Sequence, residues 1–250
     1  PTSGRSTVLG CDSRELGFRK DVGFLPENPY FYDYLTGEEF LDFYGRLFEL
    51  PKHLRRERVV SLLKLVGLER AAGLRLRKYS KGMLQRIGMA QALINDPKLL
   101  ILDEPQSGLD PSGRKQIRDL ILEMRARGKT VLFSSHILSD AEMICDRVLI
   151  INGGRLVAVG RLDELLEARV RSVEVRVEGL PPEARERLRR RSLSLIESGD
   201  SVQFVVEGGE EEVPAVLDLI AAAGGRLRSL VPHRDTLEDL FLREVEERTP

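Results

Sequence analysis

Leu99 to Asp110, "LLILDEPQSGLD", sets two carboxylates, Asp103 and Glu104, directly behind four large aliphatic residues. A continuous apolar run of this length predicts a strand buried on both faces, which brings the acids out at its carboxyl end. In open α/β sheets that end is where ligands bind. Adjacent strand residues point to opposite sides, so the two acids cannot share one task. Two tasks are open to such a pair: holding a hard cation through oxygen and taking a proton from water. The plainer alternative is that both acids only cap the next helix and solvate its loop. A second candidate is "YSKGM", Tyr79 to Met83. It places Ser80 at the head of a helix, so its hydroxyl and the N–H groups of Lys81 and Gly82 form either an anion site or an ordinary cap.

The elements that must position these residues are legible in the spacing. Thr36 and Glu39 have capping-box spacing, and Phe40, Leu41, Phe43, Tyr44, Leu47 and Phe48 follow at helical period. A second helix is expected from about His53 to Val66, ended by Gly67. A third runs from Ser80 to Pro97, and the strand Lys98–Asp103 comes next. Asp110 and Pro111 supply an N-cap and first residue for a helix that ends near Gly128. "TVLFSS" is a strand leading to His136, and Ser139 with Glu142 is expected to cap a short helix. "RVLIINGGRLVAVG" is a hairpin turning at Asn152-Gly153. After about residue 170 the order becomes β-α-β-β-α-β plus a tail helix, that of a small ferredoxin-like domain. The run Arg187 to Arg191 is read as a solvated helix face.

Composition narrows the class. With 42% hydrophobic and 32% charged residues, the 250-residue chain can bury a real core. Its net charge of −1 calls for no nucleic-acid partner. Cys11 and Cys145 have neither metal-ligand spacing nor a disulfide framework, which suits a reducing cytosol. No apolar run approaches the ~18 residues of a membrane span. Nine of the fourteen aromatics fall between residues 24 and 48. Four of them, Tyr30, Phe31, Tyr32 and Tyr34, crowd into five residues and predict a docking surface, with packing into the chain's own core as the alternative.

In their order these segments resemble the ATP-binding cassette (ABC) ATPases. "LLILDEP" is similar to the Walker B of that family, "YSKGM" to its signature, "SGLD" to its D-loop, "SSH" to its switch histidine and "VGFLPENP" to its Q-loop. The resemblance implies a P-loop-NTPase-like α/β core over residues 1–165, with a helical subdomain at about 30–96. The accessory α+β domain at 170–250, ending in "TLEDLFL", looks like that of the drug- and antibiotic-export branch. It further implies Mg2+ on Asp103 and Glu27, the water-activating base in Glu104, and a γ-phosphate or lytic-water contact from His136. Ser80, Lys81 and Gly82, with Asp110 reaching across, would complete the ATP site of a second ABC subunit. The expected partner besides that subunit is an integral membrane permease, which puts the chain in the cytoplasm, peripheral on the inner face of the cell membrane. A non-transport ABC ATPase, or a non-enzymatic fragment offering only its signature face, are the alternatives.

Three departures accompany the likeness. Tyr79, Lys81 and Met83 replace three of the five signature positions, and Glu27 stands where the family has glutamine. The third is the phosphate loop G-x-x-x-x-G-K-[ST], which supplies amides and a lysine to ATP. Its nearest string here, Gly108 to Lys115, lacks the lysine and hydroxyl in register, and Asp110 would repel phosphate. The family places the loop upstream of "PTSG", so the expectation is a sequence truncated at its amino end that binds ATP too weakly to turn it over alone.

Overall fold

The computed structural model describes residues 2–166, 170–190, 192–207 and 212–246. Arg191 of the basic run and residues 167–169 of the expected linker lie outside them. The chain divides into two compact units, Pro1–Ile144 and Cys145–Pro250.

The first unit opens with a hairpin of β1 (Thr7–Val8) and β2 (Cys11–Asp12), followed by β3 (Val22–Leu25). Three helices come next: α1 (Gly37–Leu47), α2 (Lys52–Leu65) and α3 (Lys81–Ala92). Then follow β4 (Leu99–Leu102), α4 (Pro111–Ala126), β5 (Thr130–Phe133) and α5 (Leu138–Ile144). The helix starts form for the expected local reasons. Thr36 accepts from Glu39 N at 3.2 Å while Glu39 Oε2 accepts from Thr36 N at 2.9 Å. Ser80 Oγ caps α3 through Met83 N, and Asp110 caps α4 with Pro111 behind it. Ser139 departs from expectation. It lies inside α5, and the turn before that helix is closed by Ser135 Oγ, which accepts from Ile137 N at 3.0 Å.

β3, β4 and β5 form a parallel sheet in that order, in register from Val22–Leu99–Thr130 to Leu25–Leu102–Phe133. Gly23 permits the close approach of α3, because a Cβ there would overlap the carbonyl of Ala92. Leu25, Leu100 and Leu102 are sealed in the core with Ile87 of α3 and with Ile117 and Ile121 of α4. Full burial of each such side chain is worth roughly 1.5–3 kcal/mol. The other face corrects the expectation of a strand buried on both sides. Leu99 and Ile101 are only half-buried, and on the same face Phe24 is 51% and Leu132 61% exposed. α3 and α4 supply the core on the Leu100–Leu102 face, so β4 alternates although its sequence does not.

The three helices before β4 enclose a core of Phe40, Leu41, Val59, Leu62, Leu63 and Leu76. Tyr79 is buried there and donates its hydroxyl to Ala71 O at 2.7 Å, and burial pushes its phenol pKa up. Tyr79→Phe removes one of that carbonyl's two donors, Leu74 N remaining at 2.9 Å, and should lower the stability of this unit by roughly 0.5–1.5 kcal/mol. Urea unfolding of the two proteins measures it, and an unchanged midpoint would show that the bond contributes nothing.

The second unit begins with the hairpin of β6 (Arg147–Asn152) and β7 (Arg155–Arg161). Its turn lies one residue later than the sequence suggests. Asn152 pairs with Arg155, while Gly153 and Gly154 take φ of 56° and 75°, the left-handed pair a two-residue turn demands. α6 (Leu162–Leu165), β8 (Val170–Glu178), α7 (Pro182–Arg189), β9 (Ser192–Ser198), β10 (Ser201–Glu207), α8 (Glu212–Ala222), β11 (Arg226–Arg234) and α9 (Leu237–Glu246) follow. The four long strands stand in the order β11-β8-β10-β9, every neighbouring pair antiparallel. That is the order a β-α-β-β-α-β chain gives a ferredoxin-like sheet. Val173, Val175, Val177, Val202, Phe204 and Val206 face its core.

Candidate functional site

β4 and β5 end beside one another, and both deliver polar side chains at the same edge of the sheet. Asp103 N bonds Leu25 O at 2.8 Å, and Ser134 N bonds Leu102 O at 3.0 Å, so the backbone itself fixes where the side chains start. Ser134 then links the two acids. Its Oγ donates to Asp103 Oδ1 at 2.7 Å and accepts from Glu104 N at 2.8 Å. Glu104 has a φ of 44°, a left-handed conformation that costs a non-glycine residue energy and recurs where side chains must be aimed. The turn sends its carboxylate away from Asp103 and onto His136, with Glu104 Oε2 2.7 Å from Nδ1. Asp103, Glu104 and His136 are thus brought together. Ser134, which joins them, has no assigned role in the sequence reading, although it sits in the "FSSH" segment.

Glu27 leaves the same sheet edge from the end of β3 and is exposed. No group of three or more His, Cys, Asp or Glu side chains able to hold a metal occurs among the described residues. Such a site is no cage. It suits Mg2+, which takes one or two carboxylates and completes its shell with water and substrate oxygens. Asp103 has the donor chemistry for it, since Ser134 engages Oδ1 and leaves Oδ2 available.

The signature residues form a second group with the D-loop. Ser80 Oγ accepts from Met83 N at 3.3 Å, leaving the N–H groups of Lys81 and Gly82 as the outward donors. The Lys81 ammonium lies over Gly108, where a Cβ would overlap it, and Gly82 approaches Leu109. Asp110 is committed to the start of α4, accepting from Gly113 N at 2.7 Å. A carboxylate therefore occupies the one helix start in the Gly108–Lys115 string, which is no phosphate cradle. Gly128-Lys129-Thr130 is no better placed. It precedes a strand, and Lys129 is held by Asp96 at 2.5 Å and Pro97 O at 2.8 Å.

The aromatic segment divides in two. Phe31 and Tyr32 pack inward against Phe40 and Phe43, at ring-centre distances of 5.4 and 5.3 Å. Tyr30 and Tyr34 point out, 86% and 66% exposed. Tyr30 also borders an apolar groove of about 430 Å³ between β3 and α1, with Phe24, Tyr44 and Leu47 along it. Of the segment expected to dock, only Tyr30 and Tyr34 are therefore exposed, and Tyr32 packs against the core.

Comparison with known proteins shows the family. Residues 1–107 match the ABC transporter family. An ABC transporter ATP-binding protein of Synechocystis is 45% identical over 249 residues, 99% of this chain and 68% of that protein. The Nod factor export ATP-binding protein I of Rhizobium sp. is 34% identical over 97% of this chain and 79% of its own length. A solved ATP-binding subunit of an ABC transporter superposes with a TM-score of 0.57 at 33% identity, covering 64% of this chain and 67% of that one.

Proposed function

We propose, since this chain belongs to the family of ABC transporter ATP-binding subunits, that it serves an exporter, coupling ATP hydrolysis to transport by a separate permease. The observation that carries the reading is the linkage of Asp103 to Glu104 through Ser134 and of Glu104 to His136 through its carboxylate. In it Asp103 would hold Mg2+ on the nucleotide, and Glu27, which follows the neighbouring strand β3, would add a water-mediated contact. When bound, the cation neutralises charge on the phosphates. Glu104 takes the proton of the attacking water, and His136, fixed by the same carboxylate, faces the departing phosphate. Ser80, Lys81 and Gly82 offer donors that a phosphate of the partner subunit's nucleotide can accept.

No helix of the described residues is long and apolar enough to cross a membrane, and the reading gives that task to the permease. The groove bordered by Tyr30 fits an apolar segment of that permease, and the subunit then sits in the cytoplasm on the inner face of the membrane. The test is ATP-driven transport by the complete gene product reconstituted with its permease in proteoliposomes. Tyr30→Ser with Tyr34→Ser should cut transport per ATP severalfold, at the roughly 1 kcal/mol or more per anchor expected of interface aromatics. Because both rings are exposed, the melting temperature should hold within a degree or so. Full coupling in the double variant would exclude this surface, and a collapse in stability would place both rings in the core.

A further inference from the structure

Beneath the exposed acids lies a buried polar cluster that these roles leave unused. Asp140 of α5 is 4% exposed. Its Oδ1 is paired with Arg118 of α4, and Arg114 Nη1 stands 3.7 Å from Oδ2. The same Oδ2 accepts from Gln106 Nε2 at 3.1 Å, and Gln106 is buried as well. A carboxylate removed from water needs both charge partners and hydrogen bonds, and here two segments, α4 and the turn that carries Gln106, provide them. Gln106 lies two residues past Glu104, in the turn closed by Ser107 N on Glu104 O at 3.0 Å. Asp140 follows His136 by about one helical turn, its own N–H bonded to Ile137 O at 3.1 Å. The buried bond therefore runs alongside the exposed Glu104–His136 contact and joins the same two segments.

Stability alone does not explain this arrangement. Welding α4 to α5 needs Arg118 and Asp140, but not Gln106. Gln106 also leaves its Oε1 buried and without a partner, as Arg114 leaves its Nε. An apolar side chain at 106 would avoid that cost. Resting on the ATPase reading above, we infer that Asp140, acting through Gln106 and Arg118, is a positioning residue that sets the separation of Glu104 and His136. The same cluster ties that separation to α4, which Asp110 caps.

Gln106→Leu is the deciding variant, because it keeps side-chain bulk and leaves the Asp140–Arg118 pair whole. In the complete gene product kcat should fall roughly 10–100-fold, the loss expected of displaced catalytic groups, with KM for ATP within about twofold. On a His136→Ala background the same substitution should change kcat by less than about twofold, since both act on one contact. A second readout needs no turnover. The chain has three histidines, and only the imidazole resonances of His136 should shift and broaden in Gln106→Leu, with His53 and His233 unmoved. Asp140→Asn should reproduce both effects, partially. An unchanged kcat in a variant of wild-type stability overturns the inference and leaves the ATPase reading standing. A wild-type protein without ATP hydrolysis overturns that reading, and an unmoved His136 resonance then removes the link as well.

Discussion

Glu104→Gln should abolish steady-state ATP hydrolysis by the complete gene product, by roughly 10²–10⁴-fold, while leaving ATP affinity nearly intact. Glutamine keeps the shape of the carboxylate and loses its ability to accept a proton. The geometry makes this substitution a clean one. The left-handed turn at Glu104 is held by its own N–H on Ser134 Oγ, a bond that glutamine retains. Asp103 keeps Ser134 as donor, so the carboxylate proposed to hold the cation is undisturbed. What changes is the bond to His136 Nδ1, in which the carboxylate accepts at 2.7 Å. A glutamine Oε1 can still accept from an Nδ1–H, though with less charge behind it. The effect should therefore fall on kcat, with KM moving far less. Phosphate release and nucleotide binding, measured on the same preparation, separate the two quantities. Turnover within a few-fold of wild type would exclude Glu104 as the base, and equal loss of binding would assign it to the cation instead.

Much of this site could be read from local chemistry, and the limits of that reading have physical causes. The capping residues Thr36, Ser80 and Asp110 announce their helices because each cap is a bond within three residues. The acids of the opening motif were legible for a similar reason, since an apolar run and its end lie in one short string. Three things were not. The division of the aromatic segment depends on which rings find Phe40 and Phe43 across α1, a tertiary matter invisible in a count of tyrosines. The half-open face of β4 depends on what packs against it, which a run of leucines cannot specify. The buried Gln106–Asp140 bond joins residues 34 apart in sequence. Its signal was present only as an acid one helical turn past His136 and a polar residue within the Walker B turn. The shift of the hairpin turn to Gly153-Gly154 has a simpler cause. Either glycine pair or Asn-Gly satisfies two left-handed positions, and strand pairing at Asn152–Arg155 decides between them.

The last expected result concerns which nucleotide the signature serves. Ser80, Lys81 and Gly82 head α3, a helix of twelve residues whose N-terminus carries partial positive charge. In the head-to-tail dimer we propose, that charge meets the γ-phosphate held by the partner subunit, and Asp103, Glu104 and His136 act on the chain's own nucleotide. Ser80→Arg fills the anion pocket and deletes the Met83 cap, so a dimer of this variant should lose hydrolysis by roughly two orders of magnitude or more, as when an oriented donor set is removed. Mixed dimers then reveal the geometry. If one subunit carries Ser80→Arg and its partner Glu104→Gln, the two lesions fall in the same composite site. The other site keeps an intact base and an intact signature, and about half of the activity should remain if the sites act independently. If both lesions are placed in one subunit beside a wild-type partner, each composite site receives one of them, and hydrolysis should vanish. A signature that served its own chain's nucleotide would give the reverse: no activity with the lesions apart, and half with them together. Differently tagged subunits, purified as the mixed species and assayed for phosphate release, distinguish the two patterns. The reverse pattern would sink the head-to-tail arrangement while leaving Glu104 as the base.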